Sequence, residues 1–136
     1  LEEDVPAGYT IYKIASSDQL DKASELTFYG YGRTSSSAGG AGILRKVTLE
    51  RSLYKVDTAN KKVAINQEGG HGICLGDSGG PGFVNIDGEP QVLGIKSYVA
   101  GYNKEDVCGL QSYQTLAASY KDWITLKISA FPENYR

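Results

Sequence analysis

A glycine-rich segment near the middle of the chain contains residue types that could form a nucleophile and its oxyanion site. Residues 72–81 read GICLGDSGGP, which places Ser78 directly after Asp77 and before two glycines. Backbone N–H groups that stabilise a developing oxyanion need a tight turn whose neighbouring Cβ atoms do not block the reacting carbonyl. The segment therefore makes Ser78 a candidate nucleophile and the N–H groups of Gly76 and Ser78 candidate oxyanion donors.

A serine hydroxyl is a weak nucleophile at neutral pH unless a base accepts its proton. His71 is the only histidine of the chain and precedes Ser78 by seven residues in the same predicted loop. Asp4, Asp18 and Asp57 could orient a base, but isolated aspartates of this kind are usually solvated surface charges. The residues by themselves thus provide a nucleophile without an assignable base.

The unbroken string GDSGGP at residues 76–81 resembles the nucleophile segment of trypsin/chymotrypsin-like serine proteases, as does Cys74 four positions before the serine, with Cys108 downstream. Residues 28–33, 94–98 and 120–128 are similar to the strand that opens the second barrel of that family, its substrate-binding strand and its terminal helix. The resemblance covers nearly the whole chain but only the C-terminal half of the family's catalytic unit. It implies one domain over residues 1–136, an all-β, six-stranded antiparallel Greek-key barrel with a C-terminal helix.

The resemblance implies that the chain belongs to a serine endopeptidase, which cleaves peptide bonds through an acyl-enzyme at Ser78. In this family the base and its orienting aspartate lie in the first barrel, before everything that this chain matches. His71 is therefore expected to be an ordinary loop residue, and the chain alone is expected to be inactive. The chain is either a piece of a longer protease or natively lacks the first barrel, and the intact GDSGGP string favours the first explanation.

Asp77 has a different role in the family, where its carboxylate forms an ion pair with the N-terminal amine created by activation cleavage. The first four residues, LEED, do not resemble such an activated start. An ionised carboxylate that stays buried without a partner is strongly destabilising. Asp77 is therefore expected either to turn toward solvent or to find a substitute partner.

The same resemblance predicts the substrate site. Gly72 lies six positions before the serine, where trypsins have an aspartate at the base of the specificity pocket, and Val99 lies where deep-pocket members have glycine. These two residues predict a preference for a small apolar side chain before the cleaved bond. The other predicted substrate-binding residues are Ile73, Leu75, Ser97 and Tyr98. The alternative for Ser97 and Val99 is ordinary strand packing.

Seventeen glycines, ten tyrosines and short β-branched runs between turn residues favour an all-β domain. Asp87-Gly88 predicts a hairpin turn, and the Ser/Gly-rich residues 34–42 predict an exposed loop within the domain. One helix is expected near the C-terminus, with Ser119 as its cap and an aromatic face packed on the sheet. Strands are predicted near residues 27–31, 43–50, 62–65, 82–85, 91–97 and 112–116.

Cys74 and Cys108 are the only cysteines, and their separation fits neither a metal-ligand pair nor a C-x-x-C motif. Composition alone leaves open a disulfide or two buried thiols, whereas the resemblance implies a disulfide. A disulfide indicates an oxidising compartment and hence a secreted or periplasmic protein. No residue pattern points to a metal or another cofactor.

Sixteen acidic and fourteen basic residues give a net charge of −2 without a basic block. This charge distribution disfavours nucleic acids and membrane surfaces as partners. The expected partners are a peptide or protein substrate together with an N-terminal protease half, or another copy of the chain. The alternative function is a non-catalytic binding or adhesion module that uses the surface around Ser97, Tyr98 and Tyr102.

Overall fold

A computed structural model describes residues 5–103 and 105–130, so the predictions for Asp4 and the other N-terminal residues lie outside the described part. The described residues form a mostly antiparallel sheet curled into a half-barrel and followed by a helix, which confirms the predicted fold class. The strands are β1 (Glu25–Gly30), β2 (Arg45–Glu50), β3 (Tyr54–Asp57), β4 (Lys62–Asn66), β5 (Pro81–Ile86), β6 (Glu89–Ala100) and β7 (Gln111–Leu116). The helix is α1 (Lys121–Ser129), and single 3₁₀ turns occupy Ser17–Lys22, Arg51–Leu53 and Ala117–Tyr120.

The order of the strands explains how the sheet curls. It runs β2-β1-β5-β6-β7-β4-β3, so the two edge strands, β2 and β3, are consecutive in the chain. Only the 3₁₀ turn Arg51–Leu53 separates them. One bent length of chain therefore pairs with β1 at one edge and with β4 at the other, which draws the two edges together.

All six predicted strands are present, and their ends differ from the prediction by up to three residues. The described residues contain a seventh strand, β3, which the sequence analysis missed. It is only four residues long, and the three-residue turn after β2 interrupts the alternation that would have extended the second predicted strand. The difference in strand count thus comes from the bend that curls the sheet.

The interior of the curled sheet is filled by apolar side chains that alternate along the strands. Their members include Leu26, Phe28, Leu49, Val63, Ile65, Val84, Ile86, Leu93 and Leu116. One polar exception is Gln114 on β7, whose side chain is buried without a hydrogen-bond partner in the described residues. A Cβ at Gly82 would lie 2.4 Å from its Oε1 atom, so β5 needs glycine at that position.

The predicted hairpin is confirmed. Asp87 and Gly88 are the two residues between β5 and β6, and both have positive φ angles, 53° and 88°. Positive φ at both central residues is the requirement of a type I′ turn, whose twist matches that of the paired strands. Residues 34–42 also form the predicted loop within the domain, between β1 and β2.

Two predictions about the C-terminal helix are wrong. Ser119 belongs to the preceding 3₁₀ turn, and α1 begins after Tyr120 without a side-chain cap. The aromatic face is not packed, since Trp123 is 59% exposed. The physical reason is that the 3₁₀ turn Ala117–Tyr120, rather than α1, packs on β6, which leaves the helix beside the sheet without a partner surface.

Among the described helices, none combines the length and the apolar character that a membrane crossing requires.

The disulfide between Cys74 and Cys108 is present, with the two Cα atoms 5.2 Å apart. It joins the segment before β5 to the loop between β6 and β7. The first segment carries most of the candidate site residues, so the disulfide restrains it against the loop that follows β6, the strand with Ser97, Tyr98 and Val99.

Replacement of both cysteines by serine should lower the free energy of unfolding by up to about 4 kcal/mol, the loop-closure value for a crosslink of this separation. Urea denaturation of Cys74→Ser/Cys108→Ser beside the wild type measures the loss, and a Ser52→Ala variant controls for a change on the surface. Equal stability of the double variant and the wild type, or two free thiols in non-reducing peptide maps, would contradict this expectation.

Candidate active site

The candidate nucleophile lies in a tight turn between Cys74 and β5. Gly76 and Gly79 have φ angles of +95° and +81°, which residues with a Cβ rarely adopt. A Cβ at Gly76 would also lie 3.2 Å from the Cα atom of Gly32. We call residues 75–80 the serine turn, and these constraints explain its glycine-rich sequence.

The backbone N–H groups of residues 76–79 in the serine turn alternate between unbonded and bonded. The N–H of Asp77 donates to the carbonyl of Cys74 at 3.2 Å, and that of Gly79 donates to the carbonyl of Lys96 at 2.9 Å. Within the described residues, the N–H groups of Gly76 and Ser78 donate to no other group. Both residues are exposed. Two donors on either side of Asp77 are therefore available to a bound oxygen atom.

The hydroxyl of Ser78 is exposed and donates to the carbonyl of Ser97 at 3.3 Å. That carbonyl belongs to a β-bulge, because the pairing of β6 with β7 shifts register between Lys96 and Tyr98. Bulges often occur beside active sites, where they redirect backbone groups. The bulge thus places the candidate substrate-binding strand next to the candidate nucleophile.

No base lies against Ser78 in the described part of the chain. His71 is exposed in the loop before the disulfide and makes no hydrogen bond with the serine hydroxyl. Asp18 and Asp57 instead accept local hydrogen bonds from Ser16 and Asn60, which lower the pKa of each carboxyl. The described site therefore contains a nucleophile and oxyanion donors but no group that accepts the hydroxyl proton.

The carboxylate of Asp77 accepts hydrogen bonds from two backbone N–H groups, which are the substitute partners that the sequence analysis allowed. Its Oδ1 atom accepts a hydrogen bond from the N–H of Gly32 at 2.9 Å, and its Oδ2 atom accepts one from the N–H of Cys74 at 3.0 Å. A Cβ at Gly32 would lie 2.6 Å from the Cγ atom of Asp77. Asp77 therefore ties the serine turn to the end of β1, and its pairing with an N-terminal amine stays a prediction.

The comparison with protein families supports the same interpretation from the whole sequence. A family model described as Trypsin matches residues 1–124. The chain belongs to the trypsin family. The match extends over both segments joined by the disulfide and over every candidate site residue.

The predicted substrate residues of this trypsin-family chain fall into two groups. Leu75, Ser97 and Tyr98 are exposed near the serine turn, and the ring of Tyr98 stacks on that of Tyr113 with 4.5 Å between centroids. Ile73 is buried and Val99 is partly buried against the apolar core. The first three can contact a ligand directly, whereas Ile73 and Val99 also stabilise the fold.

Gln67 is a site residue that the sequence analysis missed. Its side-chain Nε2 donates to the carbonyls of Ile73 and Cys108 at 3.0 and 2.5 Å, and its Oε1 accepts from the N–H of Ile73 at 2.8 Å. A Cβ at Gly72 would lie 2.2 Å from the Gln67 side chain. Gln67 thus joins the two disulfide-linked segments and requires glycine at position 72.

Lys96 was also missed, although the alternation of β6 contains a signal for it. Ile95 is exposed while Lys96 is only 2% exposed, so the charged residue occupies the inward position. Its Nζ atom donates to the carbonyl of Tyr29 at 2.6 Å. Burial lowers the pKa of Lys96, and the nearby charge of Asp77 opposes this decrease.

A cavity of about 510 Å³ opens beside the carboxylate of Asp77. Its lining includes Gly72, His71, Asp106 and Lys96. The histidine therefore faces the same space as Asp77.

Replacement of Gln67 by leucine should destabilise the protein by at least about 2 kcal/mol, because buried backbone groups of Ile73 and Cys108 lose their partners. Gln91→Leu is a matched control, since Gln91 is also buried but its side chain makes no hydrogen bond in the described residues. We expect a change within about 1 kcal/mol for that control. Urea denaturation measures the free energy of unfolding of both variants. Equal decreases in the two variants would show that the Gln67 hydrogen bonds contribute little to stability.

Proposed function

We propose that this chain is the C-terminal half of a serine endopeptidase and supplies the nucleophile, the oxyanion site and the specificity pocket. The observation that carries the proposal is the serine turn. Its two unbonded N–H groups, those of Gly76 and Ser78, flank the partly buried Asp77, and the Ser78 hydroxyl is exposed beside them. This arrangement is the one that acyl transfer through an oxyanion intermediate requires.

In the proposed reaction, the Oγ atom of Ser78 attacks the carbonyl carbon of a peptide bond while a base accepts the hydroxyl proton. The carbonyl oxygen becomes negative and accepts hydrogen bonds from the N–H groups of Gly76 and Ser78. The C–N bond then breaks as the amine takes the proton from the base, which leaves an acyl-enzyme on Ser78. Water attacks the acyl carbon and gives a proton to the base, the ester C–O bond then breaks as the Oγ atom of Ser78 takes that proton, and the carboxylic acid product leaves.

The base and its orienting aspartate would come from an N-terminal protease half, either covalently continuous with this chain or separate. Exposed apolar side chains support an additional packed partner. They occur in the segment before β1 and on α1 and include Tyr9, Ile11, Trp123, Leu126 and Ile128. Apolar surface of this kind is typical of interfaces, and a second copy of the chain is the other partner that could cover it.

Gly72 and Val99 would line the specificity pocket. Gln67 occupies the space beside Gly72, so no carboxylate that could pair with an arginine side chain is present at that position. Val99 is partly buried against the core, which fixes its branched side chain in place. These contacts support a pocket for small apolar side chains.

A non-catalytic binding or adhesion module is the second candidate function. It is supported by the exposed tyrosines Tyr98 and Tyr102, since tyrosine provides contact area at low entropic cost. Binding of a protein partner that survives Ser78→Ala, without turnover in any assembled form, would favour this module.

Either function fits an oxidising environment. Trypsin-family domains are typically secreted, and the disulfide of this chain is consistent with an extracellular location. We therefore propose that the protein is secreted or periplasmic.

The isolated chain should hydrolyse small-residue ester and peptide substrates at no more than about 10³–10⁴ times the uncatalysed rate, because it lacks the base. Addition of an N-terminal half that contains the histidine and aspartate should produce turnover, and Ser78→Ala should reduce that turnover at least about 10³-fold. Ser52→Ala, an exposed serine on the turn between β2 and β3, is the matched control.

Robust turnover by the isolated chain that disappears in Ser78→Ala would show that a base is present within it. A His71→Ala variant would then identify or exclude His71.

The assembled enzyme should cleave after Ala or Val in preference to Arg, because a guanidinium in a closed pocket without a carboxylate costs several kcal/mol. Discrimination against aromatic residues should be smaller, since each methylene contributes about 1–3 kcal/mol. A peptide library read by mass spectrometry measures both preferences. Predominant cleavage after Arg or Lys would exclude the Gly72 pocket, and a Val99→Gly variant that admits no larger residues would exclude Val99 from its lining.

A further inference from the structure

Lys96 is connected to the serine turn through its backbone. Its N–H donates to the carbonyl of Gly80 at 2.9 Å, and its carbonyl accepts from the N–H of Gly79 at 2.9 Å. The next residue, Ser97, accepts the hydrogen bond of the Ser78 hydroxyl. The backbone of Lys96 therefore fixes the second half of the turn against β6.

The side chain of Lys96 lies beneath the same turn. A Cβ at Gly80 would be 2.7 Å from its Cε atom and 2.8 Å from its Nζ atom. The Nζ atom also lies 3.3 Å from the position of a Cβ at Gly30, and it donates to the carbonyl of Tyr29. A lysine ammonium in such a position needs compensation, because charged groups are almost never fully buried unless they are paired.

The compensating charge is that of Asp77. A Cβ placed on Gly30 would lie 1.9 Å from the Oδ1 atom of Asp77 and 3.3 Å from the Nζ atom of Lys96. The carboxylate and the ammonium therefore both lie next to Gly30. The described residues show no salt bridge within 4.0 Å between these two groups, so they are close neighbours rather than a direct ion pair. Asp77 is also the carboxylate whose charge acts on Lys96.

We propose that Lys96 is a positioning residue for the serine turn: its buried ammonium is the resident positive charge that holds the Asp77 carboxylate beneath the turn. The N–H groups of Gly76 and Ser78, which flank Asp77, are thereby kept in place without an amine from an activated N-terminus. The importance of this positioning role for catalysis rests on the proposed function, whereas the positioning of Asp77 by Lys96 is independent of it.

Burial of Lys96, which the charge of Asp77 only partly offsets, makes the stability of the fold depend on pH. The pKa of Lys96 is below 10.5 in the folded protein, so between that lowered value and 10.5 the unfolded chain binds more protons than the folded chain. The contribution of Lys96 to stability therefore rises as pH increases through this window. The charged or titratable groups that share its cavity are Asp77, His71, Asp106, Arg33, Arg45 and Lys46.

The first test measures the pKa of Lys96 by NMR, from the Cε chemical shift in protein with labelled lysine, assigned with Lys96→Met. We expect a pKa below 10.5 in the wild type and a further decrease in Asp77→Asn, because the opposing carboxylate charge is lost. Asp106→Asn is the control, since Asp106 lines the same cavity but hydrogen-bonds to Ser36. An Asp77→Asn variant that leaves this pKa unchanged, or shifts it no more than Asp106→Asn does, would overturn the proposal.

The second test measures amide hydrogen exchange in residues 76–80. Lys96→Met should increase exchange of the bonded N–H groups of Asp77 and Gly79 at least about tenfold, and Lys96→Arg should restore part of the protection. Lys22→Met, a change at an exposed lysine, should leave exchange unchanged. Wild-type exchange in Lys96→Met would overturn the proposal, and if that variant does not fold, the pKa measurement still decides.

A third variant carries an N-terminal extension, which moves the α-amine away from the domain. It should reproduce both the wild-type pKa of Lys96 and the wild-type exchange rates. A change in either would show that the N-terminal amine, rather than Lys96, is the cation for Asp77. None of these measurements uses catalysis, so failure of the proposed endopeptidase function would leave them interpretable.

Discussion

The serine turn keeps its shape because the carboxylate of Asp77 accepts hydrogen bonds from two separate parts of the chain. One donor, Gly32, follows β1, and the other, Cys74, is the disulfide residue that begins the turn. Neither Gly30 nor Gly32 has room for a Cβ, because the carboxylate occupies the space. Gly30 and Gly32 therefore leave room for a carboxylate that lies more than 40 residues further along the chain.

The surrounding fold fixes the positions of the two segments that meet at this carboxylate. Antiparallel pairing of β1 with β5 puts Phe28 opposite Gly82, so the end of β1 and the start of β5 lie side by side. The disulfide and the side chain of Gln67 join the serine turn to the loop between β6 and β7. A buried side-chain hydrogen-bond network of this kind is costly to leave incomplete, and it specifies one arrangement of the loops.

The geometry around Ser78 suits one step of an acyl-transfer reaction. Its unbonded N–H groups and exposed hydroxyl suit the stabilisation of an oxyanion and the attack on a carbonyl. Proton transfer needs a separate group in contact with the hydroxyl, and the described residues place none there. The proposed division of the machinery between two packed units, one with the nucleophile and one with the base, would account for both facts.

The sequence by itself determined the features that depend on near neighbours. The string GDSGGP requires a turn with positive φ angles, Asp87-Gly88 requires a type I′ hairpin, and alternating apolar residues require the strands that were predicted. Only the tertiary structure decided which polar side chains are buried and what they contact. The sequence analysis assigned no role to Gln67 or Lys96, because their partners Cys108 and Asp77 are distant in sequence. The exposure of Trp123 was equally unpredictable, since its amphipathic pattern indicates a buried face but does not state whether this chain or another one covers it.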